Sequence, residues 1–342
     1  MAVPFMRPTI KDIAEKTGVG LGTVSRVLND SPRVSKGTRD KVLSAIAELN
    51  YVPSPAARGL SLGKTLTLAV IVPFFTRSAF VERLHGVENT TADSKYDLVI
   101  YNVESAEKRD RYFRTVPDRR RVDGMIIISL SPSEADRRHL GKSGVPTVFL
   151  DVNGAPSLGF DRILIDDVEG GRLATEHLIS LGHTHIGFLG DVPQEGFNHT
   201  SSSDRHAGYC RALTAAGLPI VEAYRTDGVF GRHIARELSS RMLSQPDRPT
   251  AIFASNDTQA MGVLEAARDL GLRVPEDLSV VGYDDIEMAE YLGLTTVHQP
   301  LFESGKLSVD TLLQRIEDPS RQPVTSTLAV ELIVRRTTAP PR

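Results

Sequence analysis

Residues 9–29 read Thr9-Ile10-Lys11-Asp12-Ile13-Ala14-Glu15-Lys16-Thr17-Gly18-Val19-Gly20-Leu21-Gly22-Thr23-Val24-Ser25-Arg26-Val27-Leu28-Asn29. Thr9 suits an N-cap, and Ile10, Ile13 and Ala14 recur at spacings of three and four, so the stretch opens with a helix that buries one face. Gly18 is placed to end it in a left-handed conformation. After a short turn a second helix is predicted from Gly20 or Leu21, burying Val24, Val27 and Leu28 and leaving Gly22, Thr23, Ser25, Arg26 and Asn29 for other work. A third starts at Ser35, a natural N-cap, and Val42, Leu43, Ile46 and Leu49 are expected to pack it across the first two, the unit ending near Asn50. Such a unit is small for a catalytic core but suits a DNA reader, because a helix fits the major groove and side chains near its start reach base edges. Arg26 can contact guanine in two places, whereas Thr23, Ser25 and Asn29 suit phosphates. Spacing alone leaves a generic helical bundle open.

Charge supports the DNA reading. The first 65 residues carry ten Lys or Arg against five Asp or Glu, whereas the remaining residues carry 30 against 38. A basic head on an acidic body points to a polyanion partner. The chain has 342 residues, 40% apolar and 24% charged, enough for two or three domains with substantial cores. No run approaches the roughly 20 apolar residues of a membrane helix, and the start lacks the pattern of a secretory signal, so a soluble cytoplasmic protein without membrane contact is expected. The single Cys210 cannot form an internal disulfide.

Beyond residue 65, apolar strand-like runs alternate with helical stretches: Leu68 to Val72, Leu98 to Tyr101, Gly124 to Ile128, Thr147 to Leu150, Ile186 to Leu189, Ala251 to Ala254 and Leu278 to Gly282. This is the pattern of parallel sheets with crossover helices. The segment around Ala155 to Asp161 separates two series of units, so two lobes are expected. Such sheets bind ligands outside the carboxyl ends of their strands.

The residues Thr9 to Ala14, Val19 and Thr23-Val24-Ser25-Arg26-Val27-Leu28-Asn29 resemble the head of the lactose-repressor (LacI) family. The resemblance continues through Ile71-Val72-Pro73 with Phe80, Val122-Asp123-Gly124, Gly182-His183-Thr184-His185-Ile186, Arg205-His206-Ala207-Gly208-Tyr209, Ser255-Asn256-Asp257 and Val281-Gly282-Tyr283-Asp284-Asp285. It implies a helix-turn-helix DNA-binding domain over 1–52, a hinge helix and linker over 53–65, and an α/β, periplasmic-binding-protein-like effector-binding and dimerisation domain over 66–342. Lobe 1 is expected at about 66–160 plus 295–320, and lobe 2 at about 161–290 plus 321–337, joined by three crossings. In the head, Leu21, Gly22 and Arg26 correspond to operator-reading positions and Arg33 to a further DNA contact, with Thr9, Thr23, Ser25 and Asn29 beside them. Gly20 and Gly22 stand where the family commonly carries side chains, so the base preference is this chain's own.

Tyr51 to Leu60 resembles the family hinge. Ser54 can cap a helix that Pro55 starts, and Ala56 and Ala57 favour it, but it is too short to be stable without a partner hinge and DNA. Leu60 matches the leucine that wedges into the minor groove, with Ser54 and Ala57 nearby as DNA contacts; a linker leucine packed on the body is the alternative.

In the body, Arg205, Asn256 and Asp284 match effector-binding positions, with Phe80 and Phe230 as candidate aromatic walls. For each a structural alternative stands: Arg205 paired with Asp204, Phe80 in the core, Asp284 capping the next helix. The resemblance thus implies a dimeric transcriptional regulator, most simply a repressor, that binds pseudo-palindromic operator DNA and answers to a small effector between its lobes, a carbohydrate by family frequency. No cofactor is expected.

Competing classes find less support. A solute-binding protein would not need the basic head. A sugar or nucleotide enzyme on the same fold would need a nucleophile elbow, metal set or phosphate loop; Gly59 to Thr65 has the wrong spacing for the last, and His177, His183 and His185 lack ligands to complete a metal sphere. No catalytic residue and no metal ligand is therefore assigned. The tail Thr337 to Arg342 has no apolar heptads, which argues against a coiled-coil tetramer.

Overall fold

The structure, a computed structural model, describes residues 8–28, 30–51, 64–153, 159–193, 196–197 and 199–342. Its first unit is α1 (Ile10–Thr17), α2 (Leu21–Leu28) and α3 (Lys36–Glu48). The Asp12 carboxylate accepts from both the Thr9 amide, at 2.6 Å, and the Thr9 hydroxyl, at 2.8 Å, tying down the start of α1. Gly18 ends α1 with φ 64°, as the sequence indicated. Ser35 caps α3 by accepting from the Thr38 amide at 3.4 Å. Ile13, Val24, Val27, Val42, Ala45 and Tyr51 form the core of this head. Leu43 does not join them: it is 48% exposed. The inward stripe of α3 runs Val42, Ala45, Ile46, Leu49, the spacing of one helix face, and Leu43 falls about 100° round from it.

The body consists of two six-stranded sheets. The first five strands, β1 (Thr67–Pro73), β2 (Asp97–Val103), β3 (Gly124–Ile128), β4 (Thr147–Leu150) and β5 (Asp161–Ile165), alternate with α4 (Ser78–Ala92), α5 (Ala106–Thr115) and α6 (Glu134–Ser143). The chain then enters lobe 2 through α7 (Asp167–Ser180), β6 (Ile186–Asp191), α8 (Ser201–Ala215), β7 (Arg225–Gly228), α9 (Arg232–Leu243), β8 (Ala251–Ala254), α10 (Asp257–Asp269), β9 (Ser279–Asp284), α11 (Glu287–Leu292) and β10 (Thr295–His298). Last come α12 (Leu301–Glu317), β11 (Thr325–Leu328) and β12 (Glu331–Ile333). The sheet orders are β11-β5-β4-β3-β1-β2 and β12-β10-β9-β8-β6-β7, all pairs parallel except β10 with β12.

This pairing corrects the lobe boundaries expected from the sequence. Residues 161–165 and 325–328 belong to the first sheet, because Asp161 to Ile163 pair with β4 and Thr325 to Leu328 pair with β5. Residues 295–298 pair with β9 and belong to the second. The chain crosses between lobes after Ile165, after His298 and after Leu328. The break around Ala155 to Asp161 therefore precedes the last strand of the first series, not the start of lobe 2.

Two close helix pairs aim side chains at the space between lobes. A Cβ on Gly305 of α12 would lie 2.1 Å from the Arg83 carbonyl oxygen of α4, and one on Gly171 of α7 would lie 2.0 Å from that of Arg205 on α8. Only glycine admits so close a backbone approach. The pairs α4/α12 and α7/α8 thus hold Arg83 and Arg205 as buried groups.

Candidate functional site

In the head, the start of α2 forms an open face. Leu21 is 45% exposed, and Gly22, Arg26 and Arg33 are exposed beside half-buried Thr23 and Ser25. Nothing lies within 4 Å of where a Cβ on Gly20 or Gly22 would sit. Thr9 is exposed at the start of α1. Asn29, Ser54, Ala57 and Leu60 lie outside the described residues, as does the expected hinge helix.

In the body, the carboxyl ends of β1, β3, β4, β6, β8 and β9 converge on a cavity enclosing about 1130 Å³, solvent at its mouth included. All five effector candidates, Phe80, Arg205, Phe230, Asn256 and Asp284, line it. So do Arg77, Arg83, Ser129, Asp151, Asp191, His199 and Gln299, which the sequence reading did not single out.

These groups are already bonded to one another. Arg83 donates to Ser129 at 3.2 Å, to the Asp151 carboxylate, and to Gln299 Oε1 at 2.8 Å. Ser129 donates to Asp151 at 2.6 Å. Gln299, on the crossing after β10, donates through Nε2 to Asp284 at 2.5 Å. Arg205 donates from Nε to Asp167 at 2.8 Å, lies 3.7 Å from the Asp284 carboxylate, and stacks its guanidinium 3.7 Å over the Tyr283 ring. A chain of charged and amide groups thus runs from Asp151 in lobe 1, through Arg83 and the crossing residue Gln299, to Asp284 and Arg205 in lobe 2.

The structural alternatives resolve individually. Arg205 pairs with Asp167, not with Asp204. Asp284 does not cap the next helix: the N-cap there is Ile286, without a side-chain capping bond, and its amide donates to Asp257 at 3.0 Å. Asn256 does both jobs, accepting from the Gln259 amide at 2.9 Å to cap α10 and donating to Asp191 at 3.1 Å. Phe80 is at once a member of the lobe 1 core and a wall of the cavity. Phe230 of lobe 2 and Phe74 of lobe 1 sandwich the Arg77 guanidinium at 4.0 Å each.

Burial sets the charge states. It pushes the Asp191 carboxyl up to about 6, opposed by Arg205 and Arg77 and reinforced by Asp284. Asp167 also rises to about 6 through burial, against the pull of Arg205. Asp284 rises for the same reason. For Asp151 burial acts upward too, but Arg83 and the Ser129 hydroxyl outweigh it and hold the group below its usual range. Backbone φ is positive at five non-glycine residues on four cleft-side strand ends: Phe74, Ser129, Asp151, and Asp284 with Asp285, at 42° to 110°.

Comparison with known proteins decides the family. Residues 9–54 match the family "Bacterial regulatory proteins, lacI family", and residues 175–338 match "Periplasmic binding protein-like domain". The chain is 37% identical over 332 residues to the HTH-type transcriptional repressor PurR of Vibrio vulnificus, covering 96% of this chain and 98% of that one. The chain belongs to the LacI family. It is likewise 38% identical to the ribose operon repressor of Escherichia coli K12, over 92% of this chain and 94% of that one. A crystal structure of the lac repressor dimer bound to operator and the anti-inducer ONPF superimposes with a TM-score of 0.86 at 30% identity, covering 98% of this chain and all of that one. As a LacI-family member, the protein is an effector-controlled, DNA-binding repressor rather than an enzyme. Among the described residues no helix is long and apolar enough to cross a membrane.

The histidines of the β6 approach hold a corner together. His183 is buried, with Nδ1 2.8 Å from the Thr250 hydroxyl and Nε2 2.9 Å from the Ala339 carbonyl, so it fastens the C-terminal segment to lobe 2. Among the described residues no cluster of His, Cys, Asp or Glu has the geometry to hold a metal ion. Of the cleft residues that sequence reasoning passed over, Ser129, Asp151 and Asp191 each sit at or just after the carboxyl end of a predicted strand. That position was itself the available signal. Arg83 and Gln299 had none: one lies within an amphipathic helix and the other on a crossing whose place only the sheet pairing reveals.

Proposed function

We propose that the cleft binds a small polyhydroxylated ligand of the sugar class, and that its occupancy alters the hold of a dimer on a pseudo-palindromic operator. The observation that carries this is the network Asp151–Arg83–Gln299–Asp284–Arg205. It presents alternating donors and acceptors on the cavity floor, with Phe80 and Phe230 as apolar walls. A ligand hydroxyl both donates and accepts, so it can enter such a network without leaving a buried charge unpaired. Arg205, Asn256 and Asp284 are the polar contacts in this reading, and Phe80 and Phe230 the flanking surfaces. The relatives' names supply the context: one is a ribose operon repressor.

In the head, Leu21, Gly22 and Arg26 read bases, while Thr9, Thr23, Ser25, Asn29 and Arg33 fix the docking on phosphates. Ser54, Ala57 and Leu60 contact the centre of the operator, Leu60 as the minor-groove wedge. Exposed apolar side chains support dimer formation: Val81 with Val99 and Ile100 on the edge strand β2 of lobe 1, and Met288, Leu292 and the 80% exposed Tyr291 in α11 of lobe 2.

Because Gln299 sits on a crossing, a ligand that replaces its bonds acts where the lobes pivot. Linkage then gives the sign: a ligand preferring the non-operator state releases DNA, and one preferring the operator state tightens it. The test is a thermal-shift screen of pentoses, hexoses, sugar phosphates and purines, followed by operator titration with each hit. A sugar that raises the melting temperature and changes operator affinity is the expected result. Stabilisation by a purine alone would overturn the ligand class and leave the repressor reading intact.

A further inference from the structure

The cleft uses none of the arginines in the run Arg119-Arg120-Arg121. With Arg114 and His139 they line a second concavity on lobe 1, closed by Thr115, Pro117, Asp118 and Ser143. All four arginines are exposed. Asp118 is the sole carboxylate lining the concavity, and Arg120 engages it at 2.8 Å. Arg119 donates to the neutral Gly144 carbonyl, so three guanidinium charges remain in excess on a body that otherwise carries more acids than bases.

Its place in the fold gives the concavity a partner. The strands of the lobe 1 sheet are parallel, so the amino ends of β1, β2, β3 and β4 share one edge, opposite the cleft. The arginine run immediately precedes β3 on that edge. Asp123, two residues beyond Arg121, accepts from the Thr65 and Leu66 amides at 2.8 and 2.9 Å and clips down the point where the chain departs for the head. Thirteen peptide steps separate Tyr51 from Lys64, a tether of at most about 45 Å when fully extended. DNA held by the head therefore stays within reach of this edge. Lys64 and Lys95, both exposed, lie on the same edge.

We propose that this concavity is a second DNA contact, in which Arg114, Arg119 and Arg121 grip backbone phosphates of duplex flanking the operator. The proposal rests on operator binding by the head and adds a sequence-independent term to it. Guanidinium forks match phosphate oxygens, and each phosphate neutralised releases counterions, steepening the dependence of log affinity on log salt by about 0.9.

The test compares two duplexes with full-length protein: one ending at the palindrome, and one extended by two helical turns, roughly 20 base pairs, on each side. Wild type should bind the longer duplex about tenfold more tightly in low salt, with a salt slope steeper by up to about 5 per dimer. The double variant Arg114→Gln/Arg121→Gln, which removes two of the three gripping charges and leaves the Arg120–Asp118 pair intact, should lose most of that gain while keeping its affinity for the short duplex and its melting temperature. Equal affinities and slopes of wild type for both lengths would overturn the proposal without recourse to any variant. An equal loss by the double variant on both lengths would also overturn it. So would stabilisation of wild type, but not of the double variant, by inorganic phosphate with no preference for the longer duplex; that result marks a small-anion site. Failure of wild type to prefer operator over random DNA of either length is a different failure, that of the operator reading itself.

Discussion

The head and the cleft put polar side chains to opposite uses. On α2 the proposed reading residues stand in the open, and what holds them in place is a core of five small or medium apolar groups and Tyr51 behind them. In the cleft the proposed ligand contacts are buried and bonded to one another before any ligand arrives. A reader built the first way loses contacts singly when mutated. A sensor built the second way loses a network, because removing one member strands its partners in a low-dielectric setting.

The most severe way to test this contrast is Ile13→Ala, which removes a fully buried side chain from the small head core. A loss of about 2 to 5 kcal/mol is expected. That should unfold the head and abolish operator binding while the melting of the body and its ligand response stay unchanged, as two calorimetric transitions would show. If the body transition moves as well, the two regions are not independent.

Arg205→Ala should come next. It leaves Asp167 buried without its cation, a change that costs about 3 to 5 kcal/mol in comparable buried pairs. The body should melt at lower temperature and bind no effector, while DNA affinity in the absence of effector persists at temperatures where the variant stays folded. Arg26→Ala should act in one place only. Operator affinity is expected to fall by about 1 to 3 kcal/mol, with relaxed base preference at a single position per half-site and unchanged melting.

The smallest effect is that of pH. Asp191 has a folded-state value of about 6 against an ordinary 3.8, so the unfolded chain gives up its proton first as pH rises. Between pH 4 and 6 this group, like Asp167, therefore lowers stability with rising pH. A hydroxyl donor entering beside Asp191 favours the ionised form, so effector affinity should rise a few-fold from pH 5 to 7. Asp191→Asn should flatten that rise. A profile of the opposite slope would mean that the ligand accepts from this group instead of donating to it.

The same contrast explains what the sequence disclosed. The head was legible almost in full, because its helices are set by local spacing and caps: Thr9, Gly18 and Ser35 are all where the pattern puts them. Leu43 was misjudged because apolarity was read without its angle round the helix. The seven predicted strands are present, but β5, β7, β10, β11 and β12 were passed over. Of these, β7 (Arg-Thr-Asp-Gly), β11 (Thr-Ser-Thr-Leu) and β12 lie at sheet edges, where a single covered flank demands little hydrophobicity. Missing β5, β10 and β11 is what displaced the lobe boundaries. In the cleft, Arg205, Asn256 and Asp284 came from family motifs, whereas Arg83 and Gln299 depend on how α4 meets α12 and where the chain crosses, which no local pattern carries.

The positive φ angles at the mouths of the strands have a consequence for anyone who would redesign the sensor. Asp151, at φ 57°, occupies a left-handed conformation that aspartate, asparagine and glycine tolerate and that branched or bulky side chains resist, and Asp284, at φ 110°, one that any side chain rarely adopts. A library that randomises these two positions in search of a new inducer would spend most of its members on chains that cannot close the turn. Productive retooling should instead begin at Phe80, Phe230 and Arg77, whose main-chain angles are ordinary and whose replacement reshapes the walls without disturbing the floor.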